Sequence, residues 1–271
     1  MRVRGEKNMI EIQKALCIGC GKCVKDCVAH NIILKDGKAE VKRECFLCGH
    51  CVAVCPKAAV SISEYDMAEV EGYEKDGFSI NPETLLHAIK FRRSIRDYKE
   101  QKIEPEKIEK LIQAGRFTAT AKNNQGCHFI LVQQELDHLK ELVWDYIDEA
   151  TNVPVRELPQ ELLPFFSFKR QRKANPADDF LFCNAPAVLY ITSDWDLDAG
   201  LAAQNIELMA VSEGLGALYD GYLQRISDKN EKLKSWLGIE GETIKACMLL
   251  GYPNITYSRT APRREANVTI R

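Results

Sequence analysis

The last two hundred residues combine helical patterns with continuous apolar runs. A helix is predicted to begin at Asn81, an N-cap followed by proline at the first helical position, and to lead into the apolar residues Leu85, Leu86 and Ile89. A second helix is predicted after Pro105, where apolar residues recur on one face. Further helices are predicted over residues 135–150, 199–215 and 229–237.

Three apolar runs beyond residue 127 have the length and composition of strands. They are "HFILVQQ", "APAVLYITS" and "KACMLLGYP". Helices and strands follow one another without a regular strand–helix alternation, which indicates an α+β fold. The helix over residues 199–215 consists of small and apolar residues almost throughout, so it is expected deep inside the fold or in an interface.

Three segments lack such patterns. The acidic stretch that begins at Glu64 predicts a linker over residues 64–80, between a domain of residues 1–63 and one of residues 81–271. Residues 152–179 contain four prolines and the basic run "KRQRK", and are predicted to form an excursion or lid rather than core. The basic run is interpreted as a solvated face in preference to an anion site. The tail "RTAPRREANVTIR" is expected to reach over a neighbouring subunit.

The first 63 residues carry a duplicated cysteine motif. "CIGCGKCVKDC" and "CFLCGHCVAVC" share the spacing C-x2-C-x2-C-x3-C and begin 28 positions apart, at Cys17 and Cys45. Gly21 and Gly49 occupy matching positions, and the apolar residues after each run also repeat. A whole supersecondary unit is therefore predicted to be duplicated.

The spacing favours iron–sulfur chemistry. Three thiolates on one tight loop can bind three corners of a [4Fe-4S] cubane, while the fourth reaches the neighbouring cluster. One cluster is thus assigned to Cys17, Cys20, Cys23 and Cys55. The other is assigned to Cys45, Cys48, Cys51 and Cys27. Zinc is the alternative, but zinc sites usually have two C-x2-C pairs separated by a longer insert.

Residues 9–63 resemble the bacterial two-cluster ferredoxins. One departure is Val28, where the second copy has Pro56, but proline is not a ligand. A ferredoxin alone would end near residue 63. Its attachment to a larger body implies that two [4Fe-4S] clusters exchange electrons with a site further along the chain.

Composition narrows the function classes. The chain has 271 residues, 45% of them hydrophobic, and its 37 Lys and Arg nearly balance 39 Asp and Glu. The net charge of -2 gives no overall basic field that would favour nucleic acid as a partner. No apolar run has the length of a signal peptide core or a membrane span, so a cytoplasmic protein with no membrane partner is expected. Clustered cysteines then favour metal ligation over disulfides.

A second cofactor is indicated by separated anion-binding side chains. Neither a phosphate loop nor a dinucleotide-binding glycine fingerprint is present. Guanidinium groups beside a hydroxyl suit a phosphate monoester. The candidates are Arg92, Arg93, Ser94 and Arg96 after the first predicted helix, and Arg263 and Arg264 in the tail.

Four motifs together resemble the nitroreductase family of FMN flavoproteins over residues 83–271. They are "RRSIRDY", "TATAKNNQ", "GLGALYDGY" and "PRREANV", in the family's order and at about its spacing. The resemblance implies a homodimer in which each α+β domain has a mostly antiparallel sheet flanked by helices. FMN is then expected at the subunit interface, with contacts from both chains.

The resemblance also implies roles for the first motif. Arg92, Arg93 and Ser94 match the residues that hold the FMN phosphate, ribityl chain and ring edge. Arg96 matches a basic position near flavin N1 and O2, where a cation would favour the anionic reduced flavin.

The two middle motifs are expected on opposite sides of the flavin. Thr120, Asn123 and Gln125 match a segment that the second subunit usually contributes. Asp220 and Gly221 match the pair beside the ring, where a backbone N–H typically faces N5.

The tail and the second motif complete the comparison. Arg263 matches the terminal phosphate contact, with Arg264 as the adjacent alternative. Ala119 stands where the family commonly has proline, and Gly126 and Cys127 replace a frequent Pro-Trp pair. These departures concern ring-face packing and the shape of the pocket.

The remaining candidates have structural interpretations. Cys183 and Cys247 lie in apolar, strand-like contexts and are interpreted as small core residues. Cys127 lies close to a flavin motif, but no partner that would activate its thiol can be identified. His128 is interpreted as structural or hydrogen-bonded, and Asp220 as a candidate general acid.

The leading hypothesis is a ferredoxin–nitroreductase fusion, an FMN oxidoreductase that reduces a small organic acceptor such as a nitroaromatic or a quinone. Two [4Fe-4S] clusters would supply electrons from a low-potential donor, either reduced ferredoxin or NAD(P)H. One alternative is a non-enzymatic electron relay or redox sensor that exchanges electrons with a protein partner. Another is a specialised flavin reaction, such as reductive dehalogenation or flavin breakdown.

Overall fold

The computed structural model describes residues 10–43, 45–75, 77–176 and 179–271. Residues 1–9 of the predicted first domain, Asp76 of the predicted linker and residues 177–178 of the predicted lid lie outside the described residues. The chain divides into two compact units. The N-terminal unit contains the residues up to Ser79 together with Thr120–Asn124, and the C-terminal unit contains Ile80–Ala119 and Gln125–Arg271.

The N-terminal unit is built from two copies of one short motif. Its strands are β1 (Ile10–Ile12), β2 (Ile32–Lys35), β3 (Lys38–Val41) and β4 (Val60–Ile62), and its helices are α1 (Lys22–Asp26) and α2 (His50–Ala53). β1 pairs with β4 and β2 with β3, both antiparallel. Helices α1 and α2 start 28 residues apart, each after a glycine with positive φ. The predicted duplication is confirmed.

The core of the N-terminal unit consists of the strand residues that the repeat predicts. Ile10, Ile32, Val60 and Ile62 are each at most 5% exposed, and the cysteine side chains pack around them. The predicted linker adds one turn of 3-10 helix at Met67–Glu69, with no strand or α-helix among its described residues.

The C-terminal unit contains one four-stranded sheet in the order β5-β6-β8-β7, with every pairing antiparallel. Its strands are β5 (His128–Val132), β6 (Ala187–Thr192), β7 (Gly216–Tyr219) and β8 (Ile244–Gly251). The three strands predicted from apolar runs are confirmed. The fourth, β7, was missed because it has only four residues and begins with glycine.

Helices flank this sheet, as the α+β prediction requires. They are α3 (Pro82–Phe91), α4 (Pro105–Arg116), α5 (Leu136–Ala150), α6 (Leu163–Ala174), α7 (Asp196–Ser212), α8 (Gly221–Asp228) and α9 (Glu231–Leu237). The predicted start of α3 is confirmed, since Asn81 Oδ1 accepts a hydrogen bond from the Thr84 N–H at 3.0 Å. Among the described residues, no helix is long and apolar enough to cross a membrane.

Helix α7 is a buried element, as its composition predicts. It begins and ends three residues before the predicted bounds, and Ala199, Ala203 and Ile206 on it are fully buried. Gly115 lets α4 lie close to it, because a Cβ at this position would come within 2.9 Å of the Ile206 side chain. Small side chains at this crossing therefore set the spacing between the two helices.

The prediction that residues 152–179 lie outside the core is wrong for α6. Phe165 and Phe168 are 2% and 9% exposed, and both pack edge-on against Tyr222 at the start of α8. The prolines and the basic run hid this i, i+3 apolar pair in the sequence. Residues 170–173 of the basic run are exposed, as expected of a solvated face.

Candidate functional site

A cavity in the N-terminal unit is lined by cysteines from both copies of the motif. Cys17, Cys20 and Cys23 reach it from the first run, and Cys55 reaches it from the second. These four are the residues that the cross-over assignment groups around one cluster. Among the described residues, no three His, Cys, Asp or Glu side chains converge as the ligands of a single metal ion do. The thiolates around a cubane bind different irons and need not converge.

Backbone N–H groups point at four of the cysteine sulfurs. Asn31 donates to Cys27 Sγ and Ala59 donates to Cys55 Sγ, both at 3.3 Å and 28 residues apart. In the same unit the N–H groups of Ala39 and Leu47 donate to Cys17 Sγ and Cys45 Sγ, both at 3.4 Å. Donors of this kind stabilise negative charge on sulfur, whether as free thiolate or as cluster ligand.

The thiols differ in acidity according to burial. The Ala39 N–H, with that of Gly19, lowers the pKa of Cys17 below its usual value. Burial raises the pKa of Cys51 to about 11, and the neighbouring Cys45 and Cys48 sulfurs raise it further. A bound metal therefore has to displace a tightly held proton at Cys51, which couples its binding to pH.

In the C-terminal unit, two arginines after α3 have buried donors that lack partners. Arg92 Nη1 lies 3.0 Å from Glu207 Oε1, and the Glu207 side chain on α7 is only 2% exposed. Arg92 Nε and Arg93 Nη2 are buried and have no hydrogen-bond partner among the described residues. Because an unpaired buried donor is costly, this pair fits an anionic ligand such as a phosphate.

The segment that follows these arginines is fixed against β7. Ser94 forms a parallel bridge with Ala217, and the Ile95 N–H donates to the Ala217 carbonyl at 3.1 Å. Gly216 is needed for this approach, because a Cβ there would collide with Ile95 and come within 2.9 Å of Pro253 Cγ. The structure thereby brings Ser94 beside the strand that ends at Asp220.

Asp220 has a structural role as the N-cap of α8. Its Oδ1 accepts from the N–H groups of Tyr222 at 3.0 Å and Leu223 at 2.8 Å. Burial raises its pKa, while these two N–H groups and the charges of Arg225 and Arg96 oppose that change. Since its carboxylate is already bonded to the helix start, Asp220 is not a free general acid.

Gly221 begins α8 and faces open space. As the first helical residue, it has an N–H without an acceptor inside the helix, at the positive end of the helix dipole. A Cβ at Gly221 would find no atom within 4 Å among the described residues. This corner has room for a planar group beside a backbone donor.

The other expected flavin contacts lie apart from this group. Thr120 and Asn123 belong to the N-terminal unit, where Asn123 Nδ2 donates to the Leu47 carbonyl at 3.0 Å. Sequence reasoning missed this contact. Gln125, with a φ of 49°, starts the next stretch of the C-terminal unit. Arg263 and Arg264 are exposed and lie beyond the last strand.

The remaining candidates occupy structural positions. Cys247 is buried in the core, as predicted, and Cys183 is half-buried against it. Burial raises the pKa of Cys127, and a hydrogen bond to Ser193 only partly opposes this, so the thiol is not activated. His128 is hydrogen-bonded to Glu242 at 3.2 Å, as expected.

Two family models match the chain. Residues 89–252 match the model of the nitroreductase family, and residues 16–60 match that of a 4Fe-4S dicluster domain. The chain is 30% identical over 173 residues to a "Putative NADH dehydrogenase/NAD(P)H nitroreductase" of Archaeoglobus fulgidus, which covers 63% of this chain and 86% of the relative. Over 47 N-terminal residues it is 47% identical to a component of an ion-translocating oxidoreductase complex of Methanosarcina acetivorans, or 17% of this chain and 18% of that protein.

Solved structures share the fold. A nitroreductase with bound FMN from Bacteroides fragilis superposes with a TM-score of 0.57 at 21% identity, covering 70% of this chain and 99% of that one. Another with bound FMN, from Desulfitobacterium hafniense, gives a TM-score of 0.56 at 21% identity and covers 71% of this chain and all of that one.

The N-cap role of Asp220 can be separated from acid catalysis by two substitutions. Asp220→Ala should lower the free energy of unfolding by about 1 kcal/mol, because two helix N–H groups lose their acceptor. Asp220→Asn keeps an acceptor and should retain both stability and turnover. Thermal unfolding and steady-state rates of the two variants provide the test. A stable Asn variant with little activity would instead identify Asp220 as a proton donor.

Proposed function

Because the chain belongs to the nitroreductase family and carries a 4Fe-4S dicluster domain, we propose that it is an FMN-dependent oxidoreductase of small organic acceptors. Two [4Fe-4S] clusters supply its electrons, and the acceptor is a nitroaromatic, a quinone or a similar compound. When bound, FMN supplies the exchange between one-electron and two-electron chemistry that such a pairing needs.

One observation carries this proposal. The chain combines a cavity lined by four cysteines with a pair of buried arginine donors that lack partners. The first arrangement suits an iron–sulfur cluster and the second suits the phosphate of FMN. An enzyme that used flavin alone would have no need for the cysteine duplication.

The arginine segment supplies the phosphate contacts in this proposal. Arg92 Nε and Arg93 Nη2 donate to phosphate oxygens, and the Ser94 hydroxyl lies beside them. Glu207 keeps Arg92 in place through the buried ion pair. A guanidinium held by a partner on one side loses less side-chain entropy when it binds an anion on the other.

The other end of β7 supplies the ring contacts. Arg96 lies close enough to Asp220 to lower its pKa, so its positive charge is available near the start of α8. The Gly221 N–H offers a donor on the same side. These groups favour negative charge on a planar ring and so favour its reduced, anionic form.

A homodimer with FMN at its interface would use surfaces that are exposed in one chain. Leu85 and Ile89 on α3 are 39% and 43% exposed, and Leu197 on α7 is 70% exposed. In the tail, Val268 and Ile270 are 67% and 91% exposed. Apolar exposure of this kind supports burial against a second copy of the chain.

The partner copy completes the proposed site in two ways. Its tail would supply Arg263, or the adjacent Arg264, to the phosphate. Thr120, Asn123 and Gln125 come from the segment that the family resemblance assigns to the second subunit. Reduced ferredoxin is the donor that the cluster domain favours, and NAD(P)H is the alternative.

Reoxidation of the reduced protein tests the proposed activity. Anaerobically reduced protein, mixed with a quinone or a nitroaromatic, should lose its reduced flavin and cluster absorbance at roughly 1–1000 per second, the range of ordinary enzymes. Reduced protein mixed with buffer is the control. An electron relay predicts slow reoxidation until a partner protein is added, and that result would contradict the reductase proposal.

Removal of one phosphate donor tests the flavin site. Arg93→Ala should weaken FMN binding by about 10- to 100-fold, because a hydrogen bond to a charged group contributes about 1.5–3 kcal/mol. The substitution leaves the Arg92–Glu207 pair intact. Arg170→Ala, an exposed arginine on α6, is the matched control. Equal FMN affinities of the two variants, measured by flavin fluorescence, would place the phosphate elsewhere.

A further inference from the structure

A segment from late in the chain is bonded to the second cysteine loop. The carboxamide of Asn123 donates to the Leu47 carbonyl at 3.0 Å, to the Phe46 carbonyl at 3.4 Å and to the Tyr65 hydroxyl at 3.3 Å. Phe46 and Leu47 lie between Cys45 and Cys48. All of these residues belong to the N-terminal unit, although both flanks of Thr120–Asn124 belong to the C-terminal unit.

The two cysteine loops differ at the position that this contact holds. Leu47 corresponds to Gly19 in the first loop, 28 residues earlier, and both have positive φ, 55° and 68°. Glycine adopts this conformation without strain, whereas leucine does so at a cost. Gly19 has no substitute, because a Cβ there would overlap the Gly37 carbonyl oxygen. The second loop has room for leucine, which buries its side chain and needs its backbone held.

The peptide that Asn123 holds is the one that faces a cluster sulfur. The Phe46 carbonyl and the Leu47 N–H belong to one planar peptide group and point in opposite directions. The Leu47 N–H donates to Cys45 Sγ at 3.4 Å, while the Phe46 carbonyl accepts from Asn123. A donor to the carbonyl both orients the peptide plane and polarises its N–H. Asn123 therefore strengthens the hydrogen bond to Cys45 without touching the sulfur.

We propose that Asn123 is a positioning residue for the cluster bound by Cys45, Cys48, Cys51 and Cys27, and that it raises the reduction potential of that cluster alone. N–H donors to cluster sulfurs stabilise the more negative, reduced state, so a weaker donor makes the potential more negative. The first loop receives no such contribution from Asn123. The inference rests on the proposed cluster ligation and gives the two pseudo-symmetric clusters different potentials.

This asymmetry assigns the segment "TATAKNNQ" a role beside its proposed flavin contacts. Thr120 and Gln125 flank the held residue, so the stretch of chain assigned to FMN also controls one cluster. The second cluster is then the one whose electron affinity the flavin-binding part of the chain can adjust. Reciprocity requires that the state of this cluster affects the segment in turn.

The test is EPR-monitored redox potentiometry of the full-length holoprotein. Asn123→Ala should shift one of the two cluster potentials to a more negative value and leave the other unchanged. Asn123→Asp should shift the same potential further, because a carboxylate cannot donate and places negative charge against two carbonyl oxygens. Asn124→Ala, at an exposed neighbouring asparagine, should shift neither potential. The Asp variant keeps the shape of the side chain and carries the test if the Ala variant fails to assemble.

A second background identifies the cluster that responds. Cys20→Ala removes a ligand of the first cluster, so the shift caused by Asn123→Ala should persist in the double variant. Loss of the shift there, equal shifts of both clusters, or no shift in either Asn123 variant would overturn the proposal. The measurement requires neither substrate nor turnover, so it is independent of whether the protein reduces an organic acceptor.

Discussion

The proposed flavin site depends on the close approach of Ile95 to Gly216. Without a Cβ at Gly216, the segment after α3 can pair with β7 through Ser94 and Ala217. That pairing places two arginines with buried, unpartnered donors at one end of the strand and the start of α8 at the other. A backbone constraint thus arranges charged and polar groups from three elements, which is how a rigid scaffold positions a cofactor.

The N-terminal unit follows a different principle, duplication followed by divergence. Matching N–H donors at Asn31 and Ala59 give Cys27 and Cys55 equivalent surroundings. The loops nevertheless differ, since Gly19 needs only its lack of a side chain and Leu47 is held by Asn123. Two identical clusters in series would have no preferred direction of electron flow. A difference in hydrogen bonding to sulfur is the simplest way for a protein to create one.

Local patterns determined how much could be predicted from the sequence. The cap at Asn81 located the start of α3, and three continuous apolar runs located β5, β6 and β8. Helix α6 was missed because prolines and positive charges surround its buried phenylalanines. The contact between Asn123 and Leu47 joins residues 76 positions apart, and no periodicity encodes a pairing of that kind. Motif resemblance suggested the cofactors, whereas the structure was needed to find the unpaired arginine donors.

The central claim is that clusters and flavin in one chain form a single electron path. It is tested most directly by following the reductive half-reaction under anaerobic conditions, with rapid mixing of the oxidised holoprotein and a one-electron donor. The account predicts that cluster absorbance changes before flavin absorbance, and that Cys20→Ala retains FMN but loses most of the fast flavin reduction. Flavin reduction at an unchanged rate in Cys20→Ala would contradict the account, because the electrons would then reach the flavin without passing through the first cluster.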